Sequence, residues 1–367
     1  MTHQDNILRS SLDKGEKMNR KKVGVIIPCY NHVDYVEQAI NSVLNQTYQS
    51  FDVYIADDAS TDGTREKLIQ YDEKVREIHL FDENQGGQSM FLLSRVDNEY
   101  TALLNSDDFW HKEKLEKQVR YMDKNPDCAA CFTWCAQVNE QGERVSGIEA
   151  FQQNNRSSEE WMRYFFEKGN CLAHPSILIR TDIYRELLNN NYKAFRQIPD
   201  FQMWVKLVQT KKIHTIEEEL MSFRWHSSIN TTNVSAGTKE NQARHQSEEC
   251  YMWYETIAEM EQNFFLTTFK DMLINKQPQN LEEIQCEKFF VLVRAREELS
   301  RQAAVFYFYD IYKDKKVQEC FKDKYSFSKK DFFQLETEIG SAKLFLAGEE
   351  RKNIMREMGQ CIMEANR

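Results

Sequence analysis

Four short apolar runs dominate the first hundred residues, and stretches of helical period separate them. Val23-Gly24-Val25-Ile26-Ile27, 51–56, 78–81 and 100–104 are each too short for a helix and rich in β-branched or aromatic residues. Runs of that kind suit strands buried on both faces. Between the first two, Val36, Ala39, Ile40, Val43 and Leu44 recur at helical spacing, which predicts one apolar helix face. Asp34 with Glu37 three residues on predicts a capping box at that helix. Ser60-Thr61-Asp62-Gly63-Thr64 predicts a turn and a cap before a helix over 65–71. Strand and helix alternating in this way predict an α/β fold: a mainly parallel sheet with right-handed crossovers and helices on both faces.

The breakers are unevenly spread. The chain has 12 glycines and 5 prolines; from Thr238 to Ile339 there is no glycine, and Pro278 is the lone proline. Long helices exclude breakers and short elements need them. This predicts an α/β part to about residue 230 and an all-α part beyond it. Trp253, Ile257, Met260 and Phe264 form one apolar stripe, and Phe289, Leu292, Ala295, Leu299, Ala303 and Phe306 another. The expected organisation is a polar N-terminal arm over 1–20, an α/β domain over 21–230, a linker or lid over 231–245 and a helical domain over 246–367.

Charge and cysteine usage narrow the function. Lys+Arg 48 against Asp+Glu 58 gives a net −10, so there is no bulk basic field for nucleic acid. The same acidity gives no electrostatic help to peripheral contact with a membrane surface. No apolar run is long enough for a membrane-spanning helix, and the polar N-terminus lacks the apolar core of a secretory signal. Nine scattered cysteines suit a reducing cytosol. Cys128, Cys131 and Cys135 lack a second pair at zinc-finger distance, which predicts core thiols instead of a zinc site. The expected location is cytoplasmic, extending to the inner face of the membrane.

Ligands of an open parallel sheet bind beyond the carboxyl ends of its strands. Those ends carry Pro28-Cys29-Tyr30-Asn31, then Asp57-Asp58, then Asn84-Gln85-Gly86-Gly87, then Asn105-Ser106-Asp107-Asp108. Acidic pairs on adjacent strand ends repel and need an offsetting cation or donor. Neither a dinucleotide fingerprint nor a P-loop is present. A carboxylate pair in this place suits Mg²⁺ or Mn²⁺ held against a diphosphate.

Taken in order, Val25-Ile26-Ile27-Pro28-Cys29-Tyr30-Asn31, Ser42-Val43-Leu44-Asn45-Gln46-Thr47, Asp57 to Thr64, Asn84-Gln85-Gly86 and Asn105 to Asp108 resemble the family 2 inverting glycosyltransferases. The resemblance covers about residues 21–230 and implies the GT-A nucleotide-diphospho-sugar fold. It implies that Pro28 and Tyr30 line the nucleobase, with Asn31, Gly86 and Ser106 around the nucleotide. Asp58, or its neighbour Asp57, would accept the uracil N3–H; thymine offers the same donor. Asp107 and Asp108 match the metal-binding carboxylates, with Asp107 also beside the nucleotide. Asp200-Phe201-Gln202-Met203-Trp204 resembles the segment that carries the catalytic base, so Asp200 would deprotonate the acceptor hydroxyl; a helix N-cap is the alternative use of an Asp there. Phe223-Arg224-Trp225-His226 resembles the segment in which Arg224 faces the diphosphate and His226 ligates the metal or touches the diphosphate. His174 and Trp204 would border the acceptor.

Three departures stand out. Asn105 replaces the usual first Asp, Pro199 stands where an acid often precedes the base, and the helix after Asn84 lacks the usual Arg-Asn pair. The resulting expectation is a hexosyl or N-acetylhexosaminyl transferase of polysaccharide biosynthesis. It would use a nucleotide sugar, most simply a UDP-sugar, Mn²⁺ or Mg²⁺, and a glycan, lipid-linked or protein acceptor. A nucleotidyltransferase and an inactive GT-A-like scaffold are the alternatives. The helical domain could serve acceptor recognition, homo-oligomer assembly or contact with a membrane. The aromatic run Phe306-Tyr307-Phe308-Tyr309 fits helix packing or stacking on carbohydrate.

Overall fold

The computed structural model describes residues 7–9, 21–145, 151–191, 195–226, 238–295 and 298–339. The chain divides into two compact units, Met1–Phe165 with Gly169–Gln242, and Phe166–Lys168 with Ala243–Arg367. Residues 227–237, which include the first seven of the expected linker, lie outside the described residues, and helix begins at Lys239, inside the 231–245 stretch.

The first unit is built on a nine-stranded sheet. Its strands are β1 (Ile7–Arg9), β2 (Val23–Cys29), β3 (Phe51–Asp57), β4 (Glu77–Leu80), β5 (Tyr100–Leu103), β6 (Phe109–Trp110), β7 (Cys128–Val138), β8 (Leu178–Arg180) and β9 (Lys212–Arg224). The order across the sheet is β1-β4-β3-β2-β5-β8-β7-β9-β6. β4, β3, β2 and β5 run parallel. β8 is antiparallel to both β5 and β7, and β9 is parallel to β7. The sheet is therefore mixed, with the parallel core where the four apolar runs predict it. Its helices are α1 (Val36–Leu44), α2 (Thr64–Ile69), α3 (Gln88–Arg95), α4 (Lys114–Lys124), α5 (Ser158–Lys168), α6 (Thr181–Glu186) and α7 (Pro199–Leu207).

Local chemistry explains several boundaries. Val36, Ala39, Ile40 and Val43 are buried on α1, as their spacing predicts. The predicted capping box does not form: Tyr35 takes the N-cap position without a side-chain cap. A turn delivers the chain instead, with the N–H groups of Tyr35 and Val36 donating to the His32 carbonyl. Pro28 lies inside β2, opposite Ala56 of β3. Gly24 is fixed by crowding, since a Cβ there would stand 2.5 Å from Val96 Cγ1 and 2.8 Å from Asn98 Oδ1. On α3, Leu92 and Leu93 are buried, whereas Met90 is 42% exposed.

The second unit contains α8 (Lys239–Glu259), which starts within the first unit, α9 (Gln262–Thr268), α10 (Leu281–Val293), α11 (Glu298–Ile311) and α12 (Lys315–Tyr325), followed by helix over 329–339. Both long apolar stripes are broken. Glu261 caps α9 by accepting the Phe264 N–H at 2.9 Å, which separates Met260 from Phe264. The second stripe divides between α10 and α11. The Phe289 ring lies within 5.2–5.5 Å of Phe308, Phe321 and Phe327. Glu287 is fully buried, and its carboxylate accepts the N–H groups of Ile274 and Asn275 at 2.8 and 2.6 Å. Among the described residues no helix is long and apolar enough to cross a membrane.

Candidate active site

The tips of the parallel strands are stitched together by hydrogen bonds. After β2, Asn31 adopts φ +53, a left-handed conformation that Asn tolerates better than most residues. Its N–H donates to Ser60 Oγ at 2.8 Å, and its Oδ1 accepts the Thr61 N–H at 2.9 Å. Both partners follow β3. Asp58 accepts the N–H groups of Gln85 and Gly86 at 2.9 and 3.0 Å, which ties the end of β3 to the loop after β4. Gly86 and Gly87 take φ +71 and +79 in that loop. The two neighbouring acids therefore differ. Asp58 faces the strand-end loops, while Asp57 is fully buried and bonded to Arg65 Nε at 2.8 Å. Asp57 also accepts the Ser60 N–H, so it is not placed to read a base.

Asp107 and Asp108, after β5, also face different ways. Asp107 is 16% exposed, and its Oδ2 lies 2.9 Å from His226 Nε2 and 3.9 Å from His32 Nε2. The two imidazoles are nearly parallel, 11° apart in plane. Burial favours a neutral Asp107, but the His226 hydrogen bond and both imidazoles outweigh it and hold the carboxyl below its usual range. The bond to Asp107 raises His226, whereas burial lowers His32. Asp108 is buried, accepts the Arg224 N–H at 2.8 Å and the Asn105 amide at 3.3 Å, and is pushed well up by burial and by Asp107. Its orientation does not suit the metal role expected from the sequence.

Arg224 is likewise turned inward. Its guanidinium donates to the carbonyls of Asp107, Asn139 and Glu140 and to Gln38 Oε1, at 2.7–3.0 Å, and lies 4.6 Å over the Tyr35 ring. Four hydrogen bonds spent in this way make it a clamp on the Asp107 loop, not a group presented to a diphosphate. Ser106 is buried and bonds His32 Nδ1 at 2.8 Å. His32 is the residue that the sequence reading missed. The signal was available, since it directly follows the strand-end segment Pro28 to Asn31. Pro28 and Tyr30 are half-buried at the end of β2.

Asp200 lies in the first turn of α7, after Pro199 at the first position, with Ile198 as the N-cap. It is therefore not the cap of its helix, although the helix dipole favours an acid there. Asn170 Nδ2 donates to its Oδ2 at 3.1 Å. His174 bonds the Tyr184 hydroxyl at 2.9 Å and meets Trp204 edge-on, with ring centres 5.3 Å apart. Burial lowers His174, and the Asp200 charge opposes that. Trp204 is fully buried, so it supports His174 from below instead of offering a face to an acceptor. The Trp110 indole N–H donates to the Pro175 carbonyl at 3.1 Å, joining this region to the segment after Asp108.

The donor set fits a hard or borderline divalent cation. Asp107 Oδ2 and His226 Nε2 offer one oxygen and one nitrogen from a partly open position, with His32 beside them. Mg²⁺ and Mn²⁺ complete such sites with water and phosphate oxygens, and imidazole suits Mn²⁺. Among the described residues no three His, Cys, Asp or Glu side chains are grouped so as to hold a metal ion by themselves. Cys128, Cys131 and Cys135 are buried thiols in β7, raised by burial, Cys128 to about 11.

Comparison with known proteins agrees with this architecture. The family model for glycosyl transferase family 2 matches residues 24–188. The putative teichuronic acid biosynthesis glycosyltransferase TuaG of Bacillus subtilis is 44% identical over 116 residues, which are 30% of this chain and 45% of that protein. An uncharacterized glycosyltransferase of Rickettsia felis is 27% identical over 213 residues, 57% of this chain and 34% of that one. The matches thus span less than half the length of these two relatives. Among solved structures, S. aureus TarS 1-349 in complex with UDP-GlcNAc superposes with a TM-score of 0.56 at 18% identity, covering 83% of this chain and 92% of that one. At that identity the likeness is one of fold.

Proposed function

We propose that the chain, whose residues 24–188 match the glycosyl transferase family 2 model, is a glycosyltransferase that moves a sugar from a UDP-sugar to a hydroxyl of a cell-surface glycan, with inversion. The observation that carries this reading is the Asp107–His226 pair at the tip of β5, with His32 beside it. UDP as the nucleotude carrier is supported by the UDP-GlcNAc complex of TarS, and a surface glycan by the naming of TuaG for teichuronic acid biosynthesis.

In this reading Asp107 and His226 would hold Mn²⁺ or Mg²⁺, and the charge of that ion would offset the negative charge of the diphosphate leaving group. Asp58 accepts the N3–H of the base; a carboxylate has acceptor capacity beyond the two N–H groups it already binds. Arg224 holds the Asp107 carbonyl and so fixes the loop on which Asp107 stands. Asp200 takes the proton from the acceptor hydroxyl, oriented by Asn170. General-base help of this kind contributes about 10²–10⁴-fold. The enzyme would act where nucleotide sugars are made, in the cytoplasm or at the inner face of the membrane.

A thermal-shift panel of UDP-, GDP- and TDP-sugars with and without Mn²⁺ tests the donor. A ligand that binds the folded state raises its midpoint, so one UDP-sugar with Mn²⁺ should stand out. Asp200→Asn should then abolish transfer while leaving that shift intact. Loss of both together would give Asp200 a structural role.

A further inference from the structure

The aromatic run of α11 separates into two faces. Tyr307 and Phe308 are buried, whereas Phe306 is 56% and Tyr309 49% exposed. Tyr251, on α8, is 45% exposed, and Tyr254 lies beside it with ring centres 6.0 Å apart. These four rings line one cavity of about 710 Å³ within the helical unit, together with the amides of Gln246 and Gln302. Helix packing accounts for the buried pair; of the exposed pair, Tyr309 meets Phe332 along one edge and keeps the rest of its ring open, as does Phe306. Three large aromatic side chains left open around one concavity mark a binding surface.

We propose that this cavity is a second glycan-binding site, which takes a neutral oligosaccharide by stacking sugar rings on Phe306, Tyr309 and Tyr251. The chemistry of the lining selects that occupant. Aromatic faces match the apolar C–H faces of a pyranose, and amides and hydroxyls match its hydroxyl rim. Charge favours a neutral chain over an anionic one. Asp310, the charged residue of the lining, accepts the Tyr254 hydroxyl and pairs with Lys313, whose Nζ lies 2.8 Å from its Oδ1, and Glu336 accepts the Tyr309 hydroxyl. These bonds also hold both tyrosine rings in place, so little rotamer entropy is lost on binding. A glycan site on the same chain as a transferase raises the local concentration of acceptor. The inference goes beyond the proposed transfer reaction, and its test involves no nucleotide.

The test is saturation-transfer NMR on the full chain with maltohexaose, cellohexaose and chitohexaose in turn. At least one is expected to receive saturation. Phe306→Ala and Tyr309→Ala should weaken that binding about tenfold each, as loss of a stacking aromatic does; the thermal midpoint should stay unchanged for Phe306→Ala, whose side chain is exposed, and fall slightly for Tyr309→Ala, which also loses the Glu336 bond. Phe306→Leu keeps apolar bulk without the ring and should weaken it as well. No saturation of any of the three glycans, or binding that survives all three variants, would overturn the proposal. So would sedimentation showing self-association that Phe306→Ala abolishes and Phe306→Leu preserves, since a second copy of the chain would then occupy the face.

Discussion

Asp107 and Asp108 are neighbours in sequence with opposite surroundings, and that contrast sets their separate consequences. Asp107 lies half-open against two imidazoles, while Asp108 is enclosed by the Arg224 N–H and the Asn105 amide. Asp108→Ala leaves a buried N–H unpaired, which costs about 1–3 kcal/mol. The thermal midpoint of Asp108→Ala should therefore fall clearly, and that of Asp107→Asn should hardly move. Equal midpoints would mean that Asp108 is not the inward-facing acid. Lys114 gives a pH signature. Its side chain is fully buried, bonded to Gln118 Oε1 at 2.8 Å, and burial lowers its pKa to about 7. An unfolded lysine keeps its proton to about pH 10.4. Between those values the unfolded chain binds a proton that the native chain has released, so the free energy of unfolding rises with pH across that window. Below pH 7 both states hold the proton and the contribution is flat at its minimum. Urea melts between pH 7 and 9 should show this slope in the wild type and less of it in Lys114→Met; identical slopes would sink the assignment.

At the scale of elements, the parallel core was readable because its strands are buried on both faces and so are apolar without interruption. The antiparallel half was harder. β8 is three residues long and β6 only two, too short to carry a period. The helix stripes misled for a related reason: apolar spacing continues across a break, and Glu261 ends the pattern through a backbone bond that hydropathy does not report. The inward turn of Asp57, Asp108 and Arg224 was likewise hidden, because a motif gives residue type and order but not the rotamer. His32 directly follows the strand-end segment of β2, but its pairing with Ser106 and Asp107 became visible only when folding brought the ends of β2 and β5 together. Gly24 offers a direct test of the core. A methyl group there meets Val96 and Asn98 well inside contact distance, and overpacking of this sort costs about 1–3 kcal/mol. Gly24→Ala should lower the urea midpoint with an unchanged m-value. A neutral result would mean that β2 and the segment around Val96 can separate freely.

At the scale of the whole molecule, the match to the glycosyl transferase family 2 model covers residues 24–188, and the likeness in fold to TarS extends over 83% of the chain. Neither supplies the chemistry, which depends on whether the strand ends act as one site. Hydrogen bonds join those ends pairwise: Asn31 to Ser60, Asp58 to Gly86, His32 to Ser106 and Asp108 to Arg224. A site of this kind should bind a nucleoside diphosphate through a cation and not by charge alone, because the chain carries a net −10. Calorimetric titration of UDP into the full chain, with Mn²⁺ and then with chelator, measures that directly. The expected result is binding that weakens at least about tenfold in chelator, equivalent to 1.4 kcal/mol or more, with the Mn²⁺ dependence absent from Asp107→Asn. UDP that binds the wild type equally well in chelator, or a variant that keeps the full Mn²⁺ effect, would contradict a cation site built on Asp107.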